Sequence, residues 1–135
     1  MEHPMLSGLF VLVVDDEDDA RELTAAIISA AGAHAESADS GERALQMLSV
    51  KRYDVLVCDI AMPTMDGVTL LKTLRQQAAP SSTVAALAFT AFSSPADRAT
   101  LLAAGFDEHL GKASDASSLV SAVERLGTSR VARAS

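Results

Sequence analysis

The chain has one cysteine, no tryptophan and one tyrosine, and aromatic residues make up only 4% of its 135 positions. A lone thiol, Cys58, cannot close an internal disulfide, and a reducing compartment is the simplest expectation. So few aromatics favour helices packed on a β-branched sheet over an aromatic-rich sandwich. Positive charge is also scarce. Eleven Lys and Arg against 18 Asp and Glu leave a net charge of −7, the wrong sign for nonspecific attraction to nucleic acid or an anionic membrane. A protein partner is expected instead. No apolar run approaches the roughly 20 residues a membrane helix requires, and the N-terminus lacks the basic and apolar regions of a signal peptide. A soluble, cytoplasmic protein follows as the expectation.

What is present is a 49% apolar chain rich in Ala, Leu and Val, long enough for one compact domain and too short for two of ordinary size. Short apolar runs alternate with helix-like stretches. Leu9 to Val14 reads as a strand buried on both faces. Ala20, Leu23, Ile27 and Ala31 then recur at helical spacing up to Gly32, a natural helix stop. His34 to Ala38 is a second strand, and Ser40 caps a helix carrying Ala44, Leu45 and Leu48. Asp54 to Cys58 is a third strand, followed by a loop containing Pro63 and a helix bearing Leu70, Leu71 and Leu74. Val84 to Phe89 is a fourth strand. Ser94-Pro95 with Asp97 marks a helix start, Leu101 and Leu102 face its core, and Gly105 ends it. Phe106 to Leu110 is a fifth strand, and Leu119, Val123 and Leu126 mark a last helix. Five strand-helix units imply an α/β fold: a doubly wound parallel sheet, (βα)5, with right-handed crossovers and helices on both faces. Residues 1–8 precede this unit, which spans 9–127. The arginine-bearing segment 128–135 is expected to be a disordered tail.

Ligands of open parallel sheets bind beyond the carboxyl ends of the strands, so the polar residues there are the informative ones. Asp15 and Asp16 end strand one, Asp59 ends strand three, Thr90 ends strand four, and Lys112 follows strand five. Three carboxylates in one crevice raise one another's pKa unless a cation is present. Hard oxygen donors with room for water and phosphate oxygens fit Mg2+ better than a caged Ca2+, and no His/Cys cluster points to zinc. A carboxylate can be a covalent nucleophile toward phosphorus, and Asp59 is the natural candidate. Phosphoryl transfer otherwise needs positioning and neutralisation of the equatorial oxygens, for which Lys112 and Thr90 supply an ammonium and a hydroxyl.

At these residues the sequence resembles the receiver domains of two-component response regulators, over nearly the whole chain from about Leu9 to Leu126. The stretches that carry the resemblance are Val13-Val-Asp-Asp-Glu17, Asp54-Val-Leu-Val-Cys-Asp-Ile-Ala-Met-Pro-Thr-Met-Asp-Gly67, Leu87-Ala-Phe-Thr-Ala91 and Gly105-Phe-Asp-Glu-His-Leu-Gly-Lys112. The resemblance implies a flavodoxin-like strand order 2-1-3-4-5. It implies that Asp59 takes a phosphoryl group from a histidine kinase or histidine phosphotransfer protein. Asp16, Asp59 and the backbone carbonyl of Ala61 are then direct magnesium ligands, with Asp15 acting largely through water. Thr90 and Lys112 contact the phosphoryl group, and the surface of helix four, strand five and helix five changes to meet an unidentified downstream protein. Such a domain is a switch rather than an enzyme, catalysing only its own phosphorylation and dephosphorylation.

Two departures and two neighbours qualify the resemblance. Ala113 stands where the family usually has proline after its lysine, and a cis bond there would cost about 2.5 to 4 kcal/mol. His109 occupies the place of the switch aromatic, a smaller ring that gains charge near neutral pH, so coupling to Thr90 is expected to differ or to be pH-sensitive. Ala61 and Phe92, two residues beyond Asp59 and Thr90, offer no group to orient an attacking water, which implies a long-lived phosphoryl group.

Each feature has a plainer reading when taken alone. The acidic run Asp15 to Asp19 suits a helix start, Asp59 a turn, Thr90 a strand end and Lys112 a solvated surface. Cys58 reads as a small buried hydrophobe, Met62 and Met65 as packing under the acceptor loop, and His3 and His34 as surface residues. The joint placement at one rim favours function. Competing classes are a haloacid-dehalogenase-type phosphatase, which expects a second Asp where Ala61 stands, and a flavodoxin-like FMN binder, whose first loop is not acidic. A degenerate receiver acting only through protein contacts, or a receiver segment of a hybrid histidine kinase, are the remaining alternatives.

Overall fold

The structure is a computed structural model and describes residues 5–78, 81–91 and 94–134. Five strands alternate with five α-helices: β1 Phe10–Val14, α1 Asp18–Ala30, β2 His34–Ala38, α2 Gly41–Val50, β3 Val55–Cys58, α3 Gly67–Arg75, β4 Ala85–Thr90, α4 Pro95–Ala104, β5 Glu108–Gly111 and α5 Ala116–Ala134. The strands form one parallel sheet in the order β2-β1-β3-β4-β5. This is the doubly wound order, and its winding reverses between β1 and β3, where such sheets open a crevice.

Strand alternation sorts the core into two layers. Leu12, Val14, Leu56, Cys58, Ala86 and Ala88 pack with Leu48 of α2, Leu70, Leu71 and Leu74 of α3, and Leu101 of α4. On the opposite face Val11, Val13, Val55, Val57, Ala85 and Leu87 pack with Ile28 of α1 and with Leu119, Val123 and Leu126 of α5. Leu6, from the segment preceding β1, is fully buried in that second layer. Cys58 is buried in the first, as its apolar neighbours lead one to expect.

Helix ends follow local chemistry. Ser94 and Asp97 form a reciprocal capping box at α4, with Pro95 at the first helical position, so two otherwise orphaned backbone donors are satisfied where the helix starts. Gly105 closes the same helix in the left-handed conformation, φ +117°, where a Cβ is disfavoured.

Three expectations need correction. Leu23 does not lie on the core face of α1; it is 63% exposed, while Thr24 and Ile28 are buried. The helix is therefore turned by about one residue relative to its most apolar stripe. Leu102 is 37% exposed, and only its neighbour Leu101 enters the core, because adjacent helical positions point about 100° apart. Finally, α5 continues past Gly127 to Ala134 where a disordered tail is expected. No proline interrupts that stretch, and a helix already nucleated and packed extends at the cost of fixing one residue per added bond.

Candidate functional site

The carboxyl ends of β1 and β3 are adjacent because these strands pair directly, Val14 opposite Cys58. The residues that follow are tied across the gap. The Asp59 N–H donates to the Val14 carbonyl at 2.9 Å, and the Asp15 N–H donates to the Ala38 carbonyl at 3.2 Å. Carboxylate oxygens of Asp15, Asp16 and Asp59 consequently lie within 4.8 Å of one another. Asp15 is almost completely buried, at 3% exposure. Its Oδ1 accepts the Glu17 N–H at 3.0 Å, and Arg21 Nη1 donates to its backbone carbonyl at 3.0 Å.

Lys112 enters from β5. Its N–H donates to the Thr90 carbonyl at 2.9 Å, so the strand pairing is prolonged by one residue beyond Gly111. The ammonium then reaches back over the site, with Nζ 2.8 Å from Asp15 Oδ2 and 3.4 Å from Asp59 Oδ2. One cation thus bridges two of the three acids. Burial would lower the lysine's pKa, but the hydrogen bond it donates to Asp15 and the charges of Asp59 and Asp15 outweigh it and hold the pKa above its ordinary value. Burial pushes the Asp59 carboxyl above the usual carboxylate range; Lys112 opposes that and Asp15 adds to it. The Ile60 N–H donates to Asp59 Oδ1 at 2.8 Å, which orients the carboxylate with Oδ2 toward Lys112.

Thr90 ends β4 fully buried beside this cluster. His109 sits in β5 opposite Ala88 and is near enough to α4 to act on Asp97, whose carboxyl is held low chiefly by the side chain and backbone of Ser94, with His109 contributing weakly. Ala61 is exposed in the loop after β3. Phe92 lies outside the described residues. The structure therefore brings Asp15, Asp16, Asp59 and Lys112 together at the β1/β3 crevice, with Thr90 at the adjacent strand end and His109 farther along β5. Cys58 is buried, and that burial pushes its thiol well above the ordinary range.

Several residues that shape the site do not show their roles in composition or spacing, although Thr64 and Gly67 lie within a stretch that carries the family resemblance. Arg21 fixes the Asp15 carbonyl from α1. Gly67 starts α3 where a Cβ would stand 2.6 Å from the Asp59 carbonyl oxygen. Thr64 adopts φ +68° in the acceptor loop, alone among the described non-glycine residues. A β-branched residue in that region is strained by roughly 1–2 kcal/mol. Thr64→Gly is therefore expected to raise stability by about 1 kcal/mol, after allowing for the greater freedom of glycine in the unfolded chain. Urea unfolding measures it, and an unchanged or lower midpoint would show that the loop carries no such strain.

The donor set is compatible with a hard divalent cation: three carboxylates and no nitrogen or sulfur ligand among them, an arrangement suited to ions that retain water. No helix among the described residues is long and apolar enough to cross a membrane.

A family model described as the response regulator receiver domain matches residues 11–124. An uncharacterized 14.6 kDa protein of Leptolyngbya boryana is 34% identical over 120 residues, covering 89% of this chain and 91% of that protein. Response regulator MprA of Mycobacterium ulcerans is 36% identical over 102 residues, 76% of this chain. The chain spans only 43% of that relative's length. Among solved structures, the signal receiver domain of a signal transduction histidine kinase from Syntrophus aciditrophicus superimposes with a TM-score of 0.82 at 30% identity, covering 90% of this chain and 92% of that one.

Proposed function

We propose, from the premise that this chain belongs to the response regulator receiver domain family of two-component systems, that Asp59 accepts a phosphoryl group in a magnesium-dependent step. The observation that carries the reading is the meeting of Asp15, Asp16 and Asp59 within 4.8 Å, with Lys112 spanning two of them. Asp15, Asp16, Asp59 and the Ala61 carbonyl would hold Mg2+, which supplies charge neutralisation for phosphate oxygens when bound.

The chemistry asked of the protein is small. An Asp59 carboxylate oxygen forms a bond to phosphorus as the bond to the donor's imidazole nitrogen breaks, and the electron pair leaves with that imidazole, which takes up a proton. The orientation of Asp59 by the Ile60 amide and the ammonium of Lys112 beside it support in-line attack by lowering the charge that gathers there. Thr90 serves the phosphoryl group from the β4 end. The donor is a histidine kinase or histidine phosphotransfer protein of the cytoplasm, and residues 9–127 form the receiver unit.

Phosphorylation then alters the α4/β5/α5 surface through Thr90 and His109, for a protein target. The phosphoryl group is long-lived because Ala61 and Phe92 supply no polar group to direct water. The likeness to a receiver from a histidine kinase supports a second setting for the same chemistry, as one segment of a hybrid kinase. With acetyl phosphate and Mg2+, intact-mass spectrometry is expected to show a single acid-stable, base-labile adduct that maps to Asp59 and fails to form with a chelator. Absence of the adduct, tried also with a phosphorylated kinase, would leave a binding module without phosphoryl chemistry.

A further inference from the structure

The last residue of α3, Arg75, has a largely buried side chain, 23% exposed, and lies at the amino ends of β4 and β5, away from the acidic rim. Its Nε and Nη2 donate to the Gly105 carbonyl at 3.0 and 2.7 Å, and its Nη1 donates to the carbonyls of Ser82 and Val84 at 3.1 and 2.5 Å. Nη2 also donates to Asp107 Oδ2 at 3.1 Å. That same carboxylate oxygen accepts the Ala86 N–H at 2.8 Å, while the Asp107 N–H donates to the Ala86 carbonyl at 2.9 Å. Ala86 and Asp107 thus close a ring immediately before the β4–β5 pairing, which begins at Leu87 opposite Glu108. Gly105 leaves room for this arrangement, since a Cβ there would stand 2.9 Å from Arg75 Cγ.

β5 needs such an anchor. It has four residues, none fully buried, and lies at the edge of the sheet. A strand that buries neither face completely specifies its register weakly. A slip of one residue would displace Lys112 by about 3.3 Å along the strand and turn its side chain to the other face. Its contacts at 2.8 Å with Asp15 and 3.4 Å with Asp59 could not survive that displacement.

We propose that Arg75 and Asp107 form a register lock for β5 that determines where Lys112 arrives at Asp59, making both of them positioning residues for phosphoryl transfer from the opposite end of the sheet. The functional half of this inference rests on the phosphoacceptor reading; the geometric half does not. A plainer role, satisfying the carbonyls of Gly105, Ser82 and Val84, would affect stability without acting through Lys112.

A double-mutant cycle on the full chain separates the two. With acetyl phosphate and saturating Mg2+, Arg75→Ala and Asp107→Ala are each expected to slow Asp59 phosphorylation about tenfold, in line with the sensitivity of transfer to small misplacements. In a Lys112→Ala background the same changes should matter less than about twofold, because coupled residues are non-additive. Equal slowing in both backgrounds overturns the lock. Arg75→Lys keeps the charge and loses the fork, so it should fold where Arg75→Ala does not, and give a smaller, equally non-additive slowing. Amide hydrogen exchange tests the geometry without phosphorylation. Arg75→Lys is expected to speed exchange at the Lys112 amide about threefold or more while leaving the Asp59 amide unchanged, as for a local opening. Equal change at both amides refutes the lock. A wild-type chain that takes no phosphoryl group, yet shows the selective exchange, counts against the phosphoacceptor reading alone.

Discussion

Asp59→Asn is expected to take up no phosphoryl group and, in the absence of magnesium, to melt above the wild-type protein at neutral pH. The first effect is complete because an amide oxygen is a far poorer nucleophile than a carboxylate oxygen. The second follows from the electrostatics of the crevice. Burial and Asp15 raise the Asp59 carboxyl above its ordinary value although Lys112 opposes them, so the folded state binds this proton more tightly than the unfolded chain does. A carboxyl shifted in that direction works against folding when ionised, and the penalty disappears as pH falls through the raised value. Asparagine can still accept the Ile60 N–H that Asp59 receives at 2.8 Å, and Lys112 keeps its 2.8 Å contact with Asp15. The net gain should be roughly 2 to 5 °C in Tm for a domain of this size.

Magnesium should reverse the order. A cation that binds only the folded protein stabilises it in proportion to the logarithm of its concentration over Kd, and wild type offers three carboxylates where the variant offers two. Scanning calorimetry with and without Mg2+, at pH 7 and again near pH 4, provides the test. The metal-free advantage of the variant should shrink toward the lower pH. A variant that melts below wild type without metal, or gains as much from magnesium, would contradict the account of the crevice.

How far the sequence discloses this molecule depends on the distance over which each feature is determined. Strands β1, β3 and β4 are continuous apolar runs, and β2 and β5 follow glycines that stop helices, so every strand is recognisable within one or two residues. Strand pairing is a long-range property, and only the resemblance to a family implies the order 2-1-3-4-5. The acidic residues of the site announce themselves because each sits where an apolar run ends. Arg75 does not, since its partner Gly105 lies 30 positions away and an arginine near a helix C-terminus is ordinary. The exposed Leu23 and Leu102 mislead for a related reason. A helical stripe states which residues are apolar, whereas the packed sheet decides which of them face inward. The strain at Thr64 is likewise invisible, because threonine in a loop carries no mark of its backbone angle.

Gly67→Ala is expected to cost about 3 kcal/mol of stability, the upper part of the range for overpacking, and to slow phosphorylation of Asp59 about a hundredfold through displacement of the acceptor. The added Cβ would stand 2.6 Å from the Asp59 carbonyl oxygen, 2.7 Å from Ile60 Cδ1 and 3.0 Å from Ile60 Cα. The isoleucine methyl can rotate away, but the other two atoms belong to the backbone that carries the acceptor. Moving them also strains the bond from the Gly67 N–H to the Ile60 carbonyl at 2.9 Å and the one from the Ile60 N–H to Asp59 Oδ1. Gly41→Ala is the matched control. The three atoms nearest its Cβ would all belong to the Met65 side chain, at 2.8 to 3.2 Å, and an unbranched thioether can change rotamer at little cost. That substitution should alter stability by less than about 1 kcal/mol and leave phosphorylation nearly intact. Denaturant titration and acetyl phosphate kinetics on the two variants decide the matter. Equal losses would mean that general crowding, rather than the backbone of the acceptor, is what Gly67 protects.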